Sequence, residues 1–350
     1  MQIIVVGAGK VGTSLTAQLI REHRVTVIDQ EPRLIENIIN VYDVMGVCGN
    51  GASYEVQKEA EVGKADLLIA TTSSDEINIL ACLVAKKLGV AHTIARIRNP
   101  EYETQLRFMR GELGLTMSIN PEKAAAHEIA RVLRFPAAMK LESFSKGRLE
   151  LVEYRLPENS ALNGVQLLDI YKNARARVLI CAVSRKGETT IPSGDFQLKS
   201  GDKIYVTAAP DQLSAFFQYL GVFRKKASTV MIVGASKMSY YLADELLHMG
   251  MSVKIIDQNE ARCTQISEQL PRALVIQGDG TDSELLAEEG IEQTDAFVAL
   301  TGIDEANILM ALCASRQTER CKVVAKINRR SLTELVSSEG MIDSVVSARD

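Results

Sequence analysis

An apolar run followed by a glycine-rich loop occurs twice in this chain. The first copy reads Ile3-Ile4-Val5-Val6-Gly7-Ala8-Gly9-Lys10-Val11-Gly12, and the second reads Val230-Met231-Ile232-Val233-Gly234-Ala235-Ser236-Lys237-Met238-Ser239. Further motifs recur at the same separation of about 229 residues, such as Gly49-Asn50-Gly51 and Gly278-Asp279-Gly280. The repeat predicts two domains of one fold within the 350 residues.

The first loop has the pattern G-x-G-x-x-G, placed between a predicted strand and a predicted helix over 11–22. Gly7 makes the tight turn, Gly9 lets the backbone approach a pyrophosphate, and Gly12 lets the helix lie close to the strand. The helix N-terminus adds free N–H groups and a partial positive charge. This pattern predicts a phosphate site formed by the backbone of Ala8, Gly9, Lys10, Val11 and Gly12.

A second predicted strand, 25–28, ends in Asp29, about 20 residues beyond Gly9, where an acid can accept both ribose hydroxyls. The carboxylate would repel a 2′-phosphate, and no Arg follows immediately to offset it. The site therefore favours NAD or an adenosine nucleotide over NADP. The alternative is a glycine-rich turn with a surface Asp.

The rest of the pattern predicts an α/β fold with two Rossmann-like, doubly wound parallel-sheet domains separated by a small β-rich α+β lobe. In the first domain, strands are predicted at 43–47, 66–70, 92–97 and 115–118, and helices at 33–40, 54–60, 75–88, 101–112 and 122–133. The lobe has predicted strands at 149–156, 178–185, 189–191 and 203–207 and a short helix at 210–221. We expect domains at 1–136, 137–222 and 227–350.

Composition excludes several classes of protein. A net charge of −4 argues against a general nucleic-acid binder. The six cysteines show no C-x-x-C spacing, and the four histidines are scattered, so the sequence predicts neither a disulfide framework nor a metal site. No apolar stretch is long enough to span a bilayer, and no signal peptide precedes the first predicted strand, so any membrane role is expected to be peripheral.

Several motifs together resemble the RCK/KTN family, the cytosolic regulators of potassium conductance and transport. They are the loop 7–12, Asp29, Gly49–Gly51, Thr71–Asn78 and Ala95–Pro100. The lobe segment 191–206 is similar to the family's C-terminal ligand-sensing subdomain. The resemblance makes 1–136 and 227–350 N-type domains and 137–222 a C-type lobe. The full family pattern adds a second C-type lobe, which this sequence does not contain.

The resemblance implies regulation and no catalysis. It implies a ring of self-associated Rossmann domains, cytoplasmic and peripheral at the inner face of the plasma membrane, beneath a membrane-embedded Trk-type potassium transporter subunit. The implied regulatory ligands are NAD(H) and ATP or ADP. Nucleotide identity would bias the pore between open and closed states by a population shift.

The resemblance and the order of the strands also suggest residue roles in the first site. Asn50, Gly51 and Ala52 are expected on the adenine side, and Thr71, Thr72 and Ser73 near the middle of the cofactor. Lys10 and Arg98 are candidate sensors of additional phosphate charge, although Lys10 has the alternative of a solvated side chain. We expect Asp75, Glu76 and Asn78 to cap the helix that follows Ser73. We expect His127 to be an interface residue.

The second site has the corresponding residues with two departures. Its candidates are Gly234, Ala235, Ser236, Lys237, Met238, Asp257, Asp279 and Gly280. Ser236 and Ser239 replace the second and third glycines. Ser236 adds a Cβ and a hydroxyl where the backbone should meet a pyrophosphate, and Ser239 enlarges the closest contact between helix and strand. We expect this site to be weaker, to select a different adenosine ligand or to be empty.

Two alternatives belong to other classes of protein. An NAD-dependent oxidoreductase would need an acid or base near the nicotinamide and a charged substrate clamp, and neither stands out in the sequence. A scaffold with vestigial nucleotide sites is the other alternative, and it suits the second copy better than the first.

Overall fold

The computed structural model describes residues 1–102, 105, 114–134, 140–144, 148–221, 227–317, 321–339, 342 and 344–347. Contacts divide the chain into two units, unit 1 being Met1–Ala126 joined by Ser347, and unit 2 being His127–Val346. The three-domain division expected from the sequence stays a prediction. Most of the predicted helix 101–112 lies outside the described residues.

Unit 1 contains a six-stranded parallel sheet in the order β3-β2-β1-β4-β5-β6. Its strands are β1 Gln2–Val6, β2 Arg24–Asp29, β3 Met45–Cys48, β4 Leu67–Ala70, β5 His92–Arg96 and β6 Met117–Ile119. Its helices are α1 Lys10–Leu19, α2 Pro32–Tyr42, α3 Tyr54–Glu59 and α4 Asp75–Lys87, and helix α5 Pro121–Arg134 begins in this unit. The strand order is that of a dinucleotide-binding Rossmann fold.

Strand β1 shows why its sequence is a continuous apolar run. Ile4 and Val6 belong to one buried cluster, and Ile3 and Val5 belong to another. Successive side chains of a strand point to opposite faces, so both faces of this sheet are covered. The sheet is thereby held rigidly behind the loops at its carboxyl edge.

Unit 2 contains an antiparallel five-stranded sheet in the order β10-β9-β11-β8-β7. The strands are β7 Lys140–Phe144, β8 Leu149–Arg155, β9 Leu179–Arg185, β10 Glu188–Thr190 and β11 Lys203–Ala208, with helices α6 Leu167–Ala174 and α7 Pro210–Tyr219. The sequence predicted neither β7 nor α6. Strand β7 is defined by its pairing with β8, and α6 has only eight residues, so neither has a strong local signal.

A second parallel sheet in unit 2 has the order β14-β13-β12-β15-β16-β17, which repeats the first sheet strand by strand. Its strands are β12 Thr229–Val233, β13 Ser252–Asp257, β14 Leu274–Gln277, β15 Ala296–Ala299, β16 Lys322–Lys326 and β17 Ser344–Val346. Its helices are α8 Lys237–His248, α9 Glu260–Gln269, α10 Ser283–Glu288, α11 Asp304–Gln317 and α12 Arg330–Glu339. The predicted fold class, two Rossmann-like sheets with a small β-rich lobe between them in the chain, is confirmed.

Helix α5 is buried along one face. Ala125, Ile129 and Leu133 are buried, whereas Ala124 is exposed. Within unit 2, His127 Nδ1 lies 2.8 Å from Glu245 Oε1 of α8. His127 therefore makes an interhelical contact within its own chain.

None of the helices described here combines the length and the apolar character needed to cross a membrane.

Candidate nucleotide sites

A cavity of about 540 Å³ opens in unit 1 where β1, β2, β3 and β4 end. This is the crevice at which parallel α/β sheets bind ligands, because strand order reverses between β1 and β4. The predicted site residues that line it are Gly7, Gly9, Asp29, Gly51, Thr71, Thr72 and Ser73. The lining does not include the other candidates of the first site, which are Ala8, Lys10, Val11, Gly12, Asn50, Ala52 and Arg98.

The glycine loop has the backbone geometry that its sequence requires. Gly7 has a φ of +103°, and a Cβ there would lie 2.9 Å from the backbone N of Thr72. A Cβ on Gly12 would lie 1.7 Å from the Gly7 carbonyl oxygen. Only glycine permits this turn and this approach of helix to strand.

The N-terminus of α1 faces the cavity without a side-chain cap. Its N-cap residue is Gly9, which lines the cavity and has no side chain that could cap the helix. The first amides of a helix have no partner within it and attract anions. Lys10 begins the helix and is exposed. The loop can therefore present backbone donors to phosphate oxygens.

Asp29 is held by the loop that it faces. Its Oδ2 accepts a hydrogen bond of 2.6 Å from the Ala8 N–H, and its Oδ1 accepts one of 2.9 Å from the Glu31 N–H. Each carboxylate oxygen has two lone pairs, so both can still accept ribose hydroxyls. The sequence predicted the ribose role but missed that Asp29 also fixes the position of the glycine loop.

The segment after β4 is fixed by Asn78 and Asp75 of α4. Asn78 Oδ1 accepts 2.8 Å hydrogen bonds from the amide and the hydroxyl of Thr72, and its Nδ2 donates to the Arg96 carbonyl at 2.8 Å. Asp75 Oδ2 accepts from the backbone N–H groups of Arg98 and Asn99. The expectation that these two side chains cap α4 is wrong, because they tie the loops after β4 and β5 together.

The cap of α4 is Ser74. Its Oγ accepts from the Ile77 N–H at 3.2 Å and donates to Glu76 Oε2 at 2.6 Å. Glu76 Oε1 also accepts from the Tyr102 hydroxyl at 2.5 Å, and this bond raises the pKa of Tyr102. The sequence signal for Ser74 was present, since Ser is a preferred N-cap before an acidic first turn.

Arg98 lies beside the cavity and is engaged by the protein. Its guanidinium donates to the carbonyl of Ser73, and it lies 3.6 Å from Asp75 Oδ1 and 3.8 Å from Glu122 Oε1. Burial, followed by the neighbouring charge of Arg98, lowers the pKa of Arg96. This cluster of charges connects the Ser73 edge of the cavity to Glu122 at the start of α5. A role for Arg98 in phosphate sensing stays a prediction.

The loop after β3 is held by a residue that the sequence analysis missed. Gln57 is fully buried, and its Nε2 donates to the carbonyls of Gly51 at 2.7 Å and Ala81 at 2.9 Å. Asn50 Oδ1 accepts from the Ala52 N–H, so Asn50 closes its own turn. The sequence signal was weak, since Gln57 lies on a predicted helix where a solvated Gln is the ordinary interpretation.

The second copy repeats much of this geometry. Asp257 Oδ2 accepts from the Ala235 N–H at 2.6 Å, and its Oδ1 accepts from the Asn259 N–H at 2.8 Å. Asn307 binds Thr301, as Asn78 binds Thr72 in the first copy. Asp304 binds the loop after β16, as Asp75 binds the loop after β5.

The remaining candidates of the second copy differ in exposure. Met238 is 2% exposed, so its side chain packs in the core and only its backbone could meet a ligand. Lys237 and Asp279 are exposed, and Gly280 is buried. Hydrogen bonds from the Thr281 amide and hydroxyl lower the pKa of Asp279. Within the described part of the chain, no group of His, Cys, Asp or Glu side chains is arranged to hold a metal ion.

Comparison with protein families matches both parallel-sheet regions to one domain and the lobe to another. The TrkA-N domain matches residues 3–121 and 230–348, and the TrkA-C domain matches residues 151–221. The duplication seen in the sequence and in the strand order is therefore also a duplication at the family level.

Relatives of similar organisation cover nearly the whole chain. A Trk system potassium uptake protein TrkA homolog of Archaeoglobus fulgidus is 33% identical over 97% of this chain and 77% of its own length. The Trk system potassium uptake protein TrkA of Vibrio alginolyticus is 33% identical over 99% of this chain and 76% of its own length. Among solved structures, the GsuK channel bound to NAD has a TM-score of 0.71 at 21% identity, over 99% of this chain and 61% of that one.

Proposed function

This chain belongs to the family of Trk system potassium uptake proteins TrkA, and from that premise we propose that it is a nucleotide-sensing regulatory subunit of a Trk-type membrane potassium transporter. The observation that carries the proposal is the cavity of unit 1, where the uncapped start of α1 and the Asp29 carboxylate meet at one opening. A helix N-terminus suits the phosphates, and a carboxylate suits the ribose hydroxyls.

We propose NAD(H), ATP or ADP as the ligand of this cavity. The backbone of 8–12 would hold the phosphates, Asp29 the ribose, the segment 50–52 the adenine side, and Thr71–Ser73 the middle of a dinucleotide. A solved neighbour of the same fold is NAD-bound, which supports this class of ligand. A 2′-phosphate would bring like charge to Asp29, so NADP should bind poorly.

The nucleotide acts by shifting a population between two states of the protein. A ligand can shift such an equilibrium only through its different affinity for the two states. The Arg98 cluster is placed to create that difference, because it contacts both Ser73 at the cavity and Glu122 of α5. We place the working protein on the cytosolic face of the membrane, self-associated and in contact with the pore-forming subunit. We propose no catalytic role for it.

The test is a calorimetric titration of NAD, NADH, NADP, ATP and ADP into the intact chain and into Asp29→Asn and Asp29→Ala. We expect Asp29→Asn to weaken NADH binding by about tenfold or more, because a charged acceptor for two hydroxyls is lost. Asp66→Ala is the matched control, since Asp66 also accepts a backbone N–H, that of Gln2, but lies at the opposite end of the sheet. Equal binding of NAD and NADP, or equal binding by Asp29→Asn, would contradict the assignment of Asp29.

Catalysis is tested separately. We expect the absorbance at 340 nm to stay constant when NADH is incubated with the chain and a panel of carbonyl compounds. Substrate-dependent oxidation of NADH would favour the oxidoreductase alternative.

A further inference from the structure

The two glycine loops of this chain begin with the same turn, against the same part of the sheet. Gly7 and Gly234 have φ angles of +103° and +105°. A Cβ on Gly51 or on Gly280 would lie 2.1 Å from the valine Cγ1 at the end of β1 or β12, respectively. The two copies therefore begin with the same turn, but α8 must start farther from β12 than α1 does from β1, because Ser239 stands where a Cβ on Gly12 would lie 1.7 Å from the Gly7 carbonyl oxygen.

The added side chains close the phosphate end of the second loop. The N-cap of α8 is Ser236, whose Oγ accepts a 3.2 Å hydrogen bond from the Ser239 N–H. The two serine Oγ atoms lie 2.9 Å apart, and the buried Ser239 hydroxyl also donates to the Gly234 carbonyl. The Ser239 amide, one of the donors in the first turn of α8, is thus already bound by the protein.

We infer that the second copy caps its own glycine loop and binds no dinucleotide, so that each chain holds one dinucleotide, in the first copy. The inference rests on the proposed function of the first cavity. A pyrophosphate entering the second loop would have to displace the Ser236 hydroxyl and would meet its Cβ where the first copy has none. The second copy keeps Asp257 bound to Ala235, which preserves the loop geometry without ligand.

The first copy provides the reverse experiment. A Cβ on Gly9 would meet nothing within 4 Å, so serine can enter there without displacing its surroundings. Its hydroxyl would then reproduce the cap that Ser236 makes. A Cβ on Gly12 would instead clash with the Gly7 carbonyl at 1.7 Å. Gly9→Ser is therefore the informative change, and it should weaken NADH binding about tenfold or more while the chain stays folded.

The deciding experiment titrates NADH into the full chain and its variants by calorimetry, with thermal unfolding as a check of folding. We expect one NADH per chain in the wild type, no change in Asp257→Ala and loss of binding in Asp29→Ala. Replacing both loop serines, as S236G with S239G, in the Asp29→Ala background should restore one site, and adding Asp257→Ala should remove it again.

The outcomes separate this inference from the proposed function. Two NADH per chain in the wild type, or loss of a site in Asp257→Ala alone, overturns the self-capping. A folded S236G and S239G variant that gains no site also overturns it. Failure of the wild type to bind any nucleotide contradicts the proposed function, whereas a site gained by S236G and S239G would still support the self-capping.

Discussion

At the scale of single residues, side chains beside the cavity have structural roles that their positions in the sequence do not reveal. Asp29 anchors the glycine loop through Ala8, and Gln57 anchors the Gly51 loop from within the core. Asp75 holds the loop after β5 where a simple helix cap was expected. The residues that shape the cavity are thus fixed by hydrogen bonds before any ligand arrives, which lowers the ordering cost of binding.

Cys48 offers a residue-scale test of the cavity. It is exposed, it pairs with Asp29 in the register of β2 and β3, and its Sγ lies 3.7 Å from the carbonyl oxygen of Gln30, which lines the cavity. Burial raises the pKa of the Cys82 thiol to about 12, so Cys82 should resist thiol reagents. We predict that Cys48 is the fastest thiol to react with Ellman's reagent and that saturating NADH slows it about tenfold.

The control for this labelling is Cys48→Ser, which should remove the fast phase and leave the slower thiols unchanged. Labelling of Cys48 at the same rate with and without NADH would mean that the nucleotide binds elsewhere.

At the scale of secondary-structure elements, an ion pair joins the end of β9 to the start of β11 in the β-rich lobe. Asp202 is 1% exposed and accepts 2.7 Å hydrogen bonds from the Nε and from a terminal guanidinium nitrogen of Arg185. Burial by itself raises the pKa of Asp202, but the Arg185 hydrogen bonds, together with that from the Lys199 N–H, lower it overall. The carboxylate is therefore more stable in the folded lobe than in the unfolded chain.

This pair predicts a pH dependence of stability. Because the pKa is depressed in the fold, the stabilisation is present above the unfolded pKa and is lost as the pH falls through the folded pKa. We expect the thermal unfolding midpoint of the lobe to fall in acid, and Asp202→Asn to cost about 1–3 kcal/mol at pH 7 with a flatter acid profile. The control Asp169→Asn, at an exposed ion pair with Lys172, should change stability by less than about 0.5 kcal/mol. If Asp202→Asn left the fall of the unfolding midpoint in acid unchanged, the Arg185–Asp202 pair would not be its cause.

At the scale of the whole molecule, the chain supplies two copies of one fold with different capacities. Both copies keep the Asp that binds the glycine loop and the Asn that binds the Thr six residues before it. Only the second adds a serine cap to the loop itself. From this difference we infer that the first copy senses the nucleotide and that the second does not.

Self-association is the prediction at this scale. The interhelical contact between His127 and Glu245 lies within one chain, so it does not by itself require a second chain. We still expect a homo-oligomer, because the resemblance of the sequence to the RCK/KTN family implies a ring of self-associated Rossmann domains. Light scattering at micromolar concentration should give a mass that is a multiple of 38.3 kDa. A strict monomer would contradict the ring.

The sequence by itself determined the duplicated fold, the glycine loop and the acid at the end of β2. Those features depend on local rules: apolar runs for strands, glycine where φ is positive, and a fixed spacing from loop to acid. For that reason the strand and helix bounds in unit 1, apart from the predicted helix 101–112, agree with the prediction within about three residues. Only the tertiary structure decided that Asp75 and Gln57 hold distant loops, that β7 pairs with β8, and that Ser236 and Ser239 satisfy each other. These are contacts between atoms brought together by folding, and neither periodicity nor spacing along the chain specifies them.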